Sequence, residues 1–192
     1  LGPVHRVPVP GLALPGTQAF ETPLGRIPID REAVNRILAL RQVTTSAAAH
    51  SQEHSLEVQL PFLQEVLGDF QLVPLAVGDA TREDVAEVIE ALWGGPETLI
   101  VVSSDLSHYL PYQAAQHIDN QTCAAIVRLQ TLDSHEQACG ATPVNGLLLA
   151  ARHHHLTPQL LDLRNSGDTA GDRERVVGYA AFAFTEESGH AH

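Results

Sequence analysis

Basic residues are scarce in this sequence of 192 residues, which has 11 Lys and Arg against 23 Asp and Glu. The formal net charge is −12 at pH 7, and the isoelectric point is near 5.2. Proteins that bind a phosphate backbone present a basic face, because charge supplies much of that affinity. The composition therefore argues against a nucleic-acid partner.

Long apolar runs are also missing. No run approaches the roughly 18 apolar residues of a membrane span, and the first residues lack the basic-then-apolar layout of a signal peptide. Cysteine is limited to Cys123 and Cys139. A domain of this size does not need a disulfide, so we interpret both as thiols in a reducing compartment. We expect a cytoplasmic protein with no membrane partner.

Apolar and turn-forming segments alternate along the chain, which favours an α/β fold with a central mixed β-sheet flanked by helices. We expect a single domain over residues 1–192. The stretch 8–28 is rich in Pro and Gly and predicts a long surface loop, with room for short extended pieces around 19–20 and 27–29. The tail 186–192, with His190 and His192, is expected to be frayed. Helices are predicted after Asp30, near His54, after Thr81, after Pro111 and at Pro143; strands are predicted at 72–77, 99–102, 160–163 and 176–184.

The stretch 99–102 resembles a central strand buried on both faces, because four consecutive apolar residues follow a Gly-Gly-Pro turn. In open α/β sheets, ligands bind beyond the carboxyl ends of such strands. Asp105 and His108 fall at that position. The segment therefore predicts an acid and an imidazole at a site.

A helix with a buried stripe is predicted after Pro111, which suits a helix start. The apolar spacing assigns this stripe to Ala115, Ile118, Thr122, Ala125 and Leu129. Cys123 lies beside the stripe and is expected to be chemically inert.

A local motif is formed by His50, Glu53 and His54, which fit the H-x-x-E-H pattern of inverzincin metallohydrolases. On a helix, His50 and His54 would face one metal and Glu53 would act as general base. The preceding Ser-Ala-Ala-Ala lacks apolar periodicity, so His50 can equally precede the helix. This pattern leaves a zinc hydrolase as one alternative.

A second candidate site takes its residues from several loops: His5 at the end of a Leu-Gly-Pro turn, His54, Asp105 with His108, and Cys139 before a helix. Convergence of these loops would give a mononuclear site of two imidazoles and a thiolate, with Asp105 and His108 alongside. Each residue also has an ordinary structural explanation, such as a turn, a helix terminus or a small buried hydrophobe. Spacing alone leaves both interpretations open.

Four motifs extend this pattern across nearly the whole chain. They are Leu-Gly-Pro-Val-His at residues 1–5, Glu-His-Ser-Leu-Glu-Val-Gln-Leu-Pro-Phe at 53–62, Val-Ser-Ser-Asp-Leu-Ser-His-Tyr at 102–109, and Asn-Ser-Gly-Asp at 165–168 with Val-Val-Gly-Tyr-Ala at 176–180. In this order, they resemble the Memo family. That family is similar in fold to class III extradiol ring-cleaving dioxygenases, which hold a mononuclear non-haem iron. The family normally has a strand and a Pro-His-Ala-Gly-like segment before the first motif, so the resemblance implies either a domain that lacks this upstream segment or a sheet and pocket that begin before residue 1.

The resemblance implies a metal held by His5, His54 and Cys139. It places His108 beside the metal, where an imidazole suits an acid/base role, and Asp105 as a residue that orients or accepts a hydrogen bond. Fe(II) is the expected metal. A thiolate in place of a carboxylate also makes Cu and Zn credible.

The predicted function is therefore a metal-dependent oxidoreductase or redox protein of dioxygenase-like fold, with a small-molecule or peptide ligand in its metal pocket. The alternatives are a non-catalytic module that binds a peptide or partner protein, and the zinc hydrolase described above. The resemblance also implies radical-SAM and AMMECR-type proteins as pathway partners.

Overall fold

The computed structural model describes residues 1–169 and 171–186. It has a mixed α/β structure with several sheets, as the sequence predicts at this level. The contacts group the chain into two compact units, one from Leu1 to Ser103 and one that begins at Ser104. The expectation of a single domain over residues 1–192 stays a prediction. No helix within the described ranges combines the length and apolar character needed to cross a lipid bilayer.

The first unit contains a four-stranded mixed sheet and a separate two-stranded hairpin. Its strands are β1 (Gly2–Pro3), β2 (Leu12–Leu14), β3 (Ala19–Thr22), β4 (Gly25–Pro28), β5 (Val43–Thr45) and β6 (Ala76–Val77). The sheet order is β1-β6-β2-β5, with β1 parallel to β6, β6 antiparallel to β2, and β2 parallel to β5. Strands β3 and β4 form the antiparallel hairpin.

Strand β2 shows that the prediction of a surface loop is wrong for residues 12–14, whereas β3 and β4 lie at the extended pieces that the prediction allowed. All three residues of β2 are buried, and the strand pairs on both sides, with β5 and β6. The turn before it depends on Gly11, which has a φ of +68°, and whose Cβ would lie 2.0 Å from the Gln42 carbonyl oxygen. A three-residue strand between Pro and Gly residues is too short to show a period, so its sequence resembles a loop.

The helices of the first unit are α1 (Arg31–Ile37), α2 (Ala47–Ser51), α3 (Leu60–Leu67), which follows a 3-10 turn at Glu57–Gln59, and α4 (Arg82–Leu92). Three of these four helices, α1, α2 and α4, begin at a side-chain cap. The Asp30 carboxylate accepts the Ala33 N–H, and Thr81 and Asp84 form a reciprocal capping box. Such side chains satisfy N–H groups that have no partner inside the helix.

The segment 99–102 does not form the predicted buried central strand. Leu99 is 61% exposed, and residues 100–102 are half-buried. Ladder-type hydrogen bonds reach this segment from Leu1, whose ammonium donates to the Val101 carbonyl and whose carbonyl accepts the Ser103 N–H. Leu1 is the one residue of the described chain that pairs with this segment in this way, and one paired residue does not make a β-strand.

An apolar cavity of about 250 Å³ lies beside this segment in the first unit. Its walls include Leu60 and Leu63 of α3, together with Leu72, Leu99 and Ile100. None of the predicted site residues lines it. Within this unit, His5 and His54 therefore lie outside the walls of the cavity.

The second unit contains a three-stranded antiparallel sheet and two long helices. The elements are β7 (His108–Leu110), α5 (Tyr112–Val127), α6 (Ala141–His153), β8 (Leu156–Asn165), a 3-10 turn (Ser166–Asp168) and β9 (Val176–Glu186). The sheet order is β7-β9-β8. Of the tail that is expected to be frayed, residues 187–192 lie outside the described residues, and these include His190 and His192.

Helix α5 turns a partly polar face towards the interior. Its buried residues are Ala115, Asp119, Thr122, Cys123 and Ile126. Ala115 and Thr122 are buried as predicted, whereas Ile118, Ala125 and Leu129 are only half-buried, so the predicted stripe matches the buried face in part. The apolar period misses Asp119, because a carboxylate occupies a buried position there.

Candidate metal centre

Three potential metal ligands meet in the second unit, where the loop 104–108 lies against the start of α6. A carboxylate oxygen of Asp105, a ring nitrogen of His108 and the sulfur of Cys139 all lie within 4.8 Å of one another. The Nε2 atom of His108 is 3.5 Å from Oδ2 of Asp105. The Asp105 side chain is 48% exposed, so the group can be reached from solvent.

Backbone hydrogen bonds hold this loop on two sides. The Leu106 N–H donates to the Gly178 carbonyl, and the Gly178 N–H donates to the Ser107 carbonyl, each at 2.9 Å. On the other side, the Cys139 N–H donates to the Asp105 carbonyl at 3.2 Å. The backbone that carries the three ligands is therefore fixed against both β9 and the start of α6.

The Cys139 sulfur has a polar environment. It accepts the Asp105 backbone N–H at 3.3 Å and lies 3.8 Å from the Ser104 hydroxyl oxygen. That hydroxyl also accepts the Gly140 N–H at 2.8 Å, at the N-cap of α6. Polar surroundings of this kind suit a cysteine that binds a metal rather than one that only fills space.

Cys123 provides the contrast. It is buried in the core cluster of the second unit with Leu106, Ile126 and Leu148. Burial, and secondarily the negative charge of Asp119, raise the pKa of the Cys123 thiol to about 11. This agrees with the prediction that Cys123 is inert.

The donor atoms at Asp105, His108 and Cys139 are an oxygen, a nitrogen and a sulfur. Carboxylate oxygen is a hard ligand, imidazole suits most first-row metals, and thiolate favours softer ions. Their close spacing means that the three residues could hold one metal ion. The pKa of Tyr179 is raised, mainly by burial and secondarily by the negative charge of the Asp105 carboxylate.

Tyr109 has an unusual backbone beside this group. Its φ is +58°, the left-handed region that non-glycine residues seldom occupy, and the pairing of β7 with β9 is irregular at this point. The side chain is 62% exposed, and the Arg175 guanidinium lies 5.0 Å from its ring centroid. Local strain of this kind is often found at functional sites. Nothing in the sequence pattern indicates it.

The predicted ligands His5 and His54 lie in the first unit, where both are hydrogen-bonded to the buried Glu53. His5 Nδ1 is 2.9 Å from Glu53 Oε1, and the His5 N–H donates to Oε2 at 2.5 Å. The His54 N–H donates to Oε1 at 3.0 Å, and its Nδ1 lies 2.6 Å from Oε1 of Glu57. The prediction that His5 and His54 bind a metal together with Cys139 stays a prediction.

Glu53 is held in its charged form. Burial opposes ionisation, but hydrogen bonds from His5 and from the Ser55 N–H outweigh it and lower the pKa of Glu53 below its usual value. A charged carboxylate that accepts several N–H groups organises the surrounding turn. Its role in the structure is therefore to join the His5 and His54 segments.

The helix required by the H-x-x-E-H pattern is absent from these described residues. Helix α2 ends at Ser51, so His50 and His54 do not share one helical face. The His50 Nε2 atom lies 2.8 Å from the Ala13 carbonyl oxygen, to which it donates as a neutral ring. Burial lowers the pKa of His50. The geometry expected for a zinc hydrolase with Glu53 as base is thus wrong.

Comparison with known proteins agrees with the motifs. A family model described as Memo-like protein matches residues 1–183. A MEMO1 family protein of Methanosarcina barkeri is 35% identical over an alignment of 179 residues, which covers 86% of this chain and 67% of the relative. Relatives from Pyrobaculum aerophilum and Aquifex aeolicus are 32% and 34% identical, over 96% of this chain and 70% and 73% of their own lengths. The chain therefore belongs to the Memo family.

Proposed function

We propose that this chain binds one transition-metal ion at Asp105, His108 and Cys139 and acts as an oxidoreductase or redox protein. The proximity of the three donor atoms, all within 4.8 Å of one another, is the observation that supports this proposal. Ligands of a single ion lie roughly 3–4 Å apart, because each metal–ligand bond is about 2.0–2.3 Å long. Small side-chain rotations would close the remaining difference.

In this proposal Asp105 and His108 change role. At the metal site implied by the resemblance, His108 is expected to act as acid/base and Asp105 to orient or accept a hydrogen bond, whereas their closeness to the Cys139 sulfur favours direct ligation by both. Their separation of 3.5 Å is long for a charge-assisted hydrogen bond, so both side chains can turn towards an ion.

The mixed donors fit Fe(II), Cu and Zn, and Fe(II) is our first choice because of the family's resemblance to extradiol dioxygenases. A transition metal held there would supply Lewis-acid or redox chemistry. Three protein ligands leave a position for a small-molecule or peptide ligand, which would approach past the exposed Asp105 carboxylate. A dioxygenase-like pocket is part of the same proposal.

The test is metal analysis of protein purified without chelator under anaerobic conditions, followed by Co²⁺ titration of the apoprotein. We expect about one metal per chain and a thiolate-to-cobalt absorption band. Cys139→Ser should remove the band and weaken binding by at least about tenfold, since it removes a donor.

Cys123→Ala is the matched control, because its thiol is buried in the core and should have no effect on the band. Full-strength binding in Cys139→Ser would overturn the proposed site. Absence of metal binding in the parent protein would favour the alternative of a non-catalytic binding module. The radical-SAM and AMMECR-type partners stay predictions.

A further inference from the structure

Helix α5 carries a buried carboxylate outside the three proposed ligands. Asp119 is 2% exposed and lies on the interior face of the helix. Burial of a carboxylate is unfavourable unless hydrogen bonds compensate for the lost water. Its contacts therefore indicate what it does.

One carboxylate oxygen of Asp119 binds the metal-site loop. Oδ1 accepts the backbone N–H of Ser107 at 3.0 Å. The Ser107 hydroxyl is buried and has no hydrogen-bond partner among the described residues, so the backbone N–H is the group that Asp119 holds.

The other carboxylate oxygen lies against β9. A Cβ atom on Gly178 would be 2.1 Å from Asp119 Oδ2, so the carboxylate occupies the space that any larger residue would need. Gly178 in turn exchanges two backbone hydrogen bonds with the Leu106–Ser107 turn. The Asp119 carboxylate therefore contacts both the Ser107 amide and Gly178, and Gly178 is hydrogen-bonded to Ser107.

This contact lies between two of the proposed ligands in sequence. Ser107 immediately precedes His108 and follows Asp105 by two residues. A shift of the Ser107 backbone would move both side chains. Groups that orient metal ligands affect affinity strongly, although they do not touch the ion.

We propose that Asp119 is a positioning residue, which fixes the Asp105–His108 loop in the geometry that binds metal. This inference rests on the proposed function for its effect on metal affinity. Its structural part, the restraint of the Ser107 amide, can be measured without any metal.

The experiment compares Asp119→Ala, Asp119→Asn and Thr122→Val in the full chain. Thr122 is the matched control, because it is on the same buried face and its hydroxyl has no hydrogen-bond partner in the part of the chain that the structure describes. Asn keeps the shape of Asp and accepts a weaker hydrogen bond.

Hydrogen exchange of the Ser107 amide is measured by NMR on the apoprotein. We expect Asp119→Ala to accelerate exchange by about tenfold or more, Asp119→Asn to have a smaller effect, and Thr122→Val to match the parent. If Asp119→Ala does not fold, the inference is tested by comparing Ser107 exchange in Asp119→Asn with that in Thr122→Val. Equal exchange in all proteins overturns the inference.

Co²⁺ affinity is then measured on the same proteins. Asp119→Ala should weaken binding by about 10–100-fold, with partial rescue in Asp119→Asn and no loss in Thr122→Val. Equal losses in Asp119→Ala and Thr122→Val would overturn the positioning role. If the parent protein binds no Co²⁺, the proposed function fails, and the amide exchange still tests the restraint of the loop.

Discussion

The Glu53 carboxylate joins two segments that are 48 residues apart, through the backbone and ring of His5. Its folded-state pKa lies below the usual 4.5, so the ionised form stabilises the fold. This stabilisation is fully present above pH 4.5 and is lost as pH falls through the folded-state pKa.

Glu53→Gln should lower the free energy of unfolding by about 1–3 kcal/mol at pH 7, because buried N–H donors lose a charged acceptor. The difference from the parent protein should shrink as pH falls from 4.5 through the lower folded-state pKa, because the carboxylate becomes protonated first in the unfolded and then in the folded parent. Urea denaturation at several pH values measures both effects. Glu57→Gln is the control, since its side chain is 55% exposed, and an equal loss in this variant would contradict the assigned role.

At the candidate site, the sequence identifies single residues better than it predicts which of them lie together. Asp105, His108 and Cys139 stand out as reactive side chains next to apolar segments, so all three could be identified. Their grouping depends on the directions of side chains from separate loops, which spacing does not encode. Asp119 was missed because an apolar period gives no weight to a buried carboxylate.

Among the elements, β9 depends on the absence of a side chain at Gly178. Gly178→Ala should destabilise the protein by about 1–3 kcal/mol, because the new Cβ would overlap the Asp119 carboxylate. In an Asp119→Ala background the same change should cost about 1 kcal/mol less, since the two sites interact directly. Thermal and urea unfolding of the parent, the two single variants and the double variant measures the interaction free energy between the two sites.

Gly95→Ala is a suitable comparison, because its added Cβ meets only the flexible, exposed end of Glu97. We expect its unfolding free energy to change little. Strict additivity of the Gly178 and Asp119 changes would show that the contact is not formed.

Helices were more predictable than strands because their signals are local. Asp30 and the Thr81–Asp84 box cap helices within a few residues of themselves, and the sequence contains every part of these motifs. Strand formation at 99–102 depends on partners elsewhere, and Leu1 alone provides hydrogen bonds of the ladder type within the described chain. In contrast, strand β2 forms although its sequence resembles a loop, because partners distant in sequence pair with it on both sides.

For the whole molecule, a net charge of −12 favours the approach of cations and disfavours nucleic acid. Metal bound to the folded state alone would stabilise it by about 2.7 kcal/mol at one hundred times the Kd. For a chain of this size we therefore expect Tm to rise by roughly 5–11 °C on metal loading. Differential scanning calorimetry with and without chelator measures the shift, which tenfold weaker binding in Cys139→Ser should reduce to about half or less; an equal rise in that variant would indicate binding elsewhere.

The two thiols of this chain differ in their exposure to solvent, which decides whether a reagent can attack them. Cys139 is only partly covered, whereas Cys123 is packed in the core with its proton firmly held. An alkylating reagent therefore has one ready target in the native fold, and labelling of the other reports unfolding. The same asymmetry makes Cys139 the thiol through which an oxidant would switch off the proposed centre.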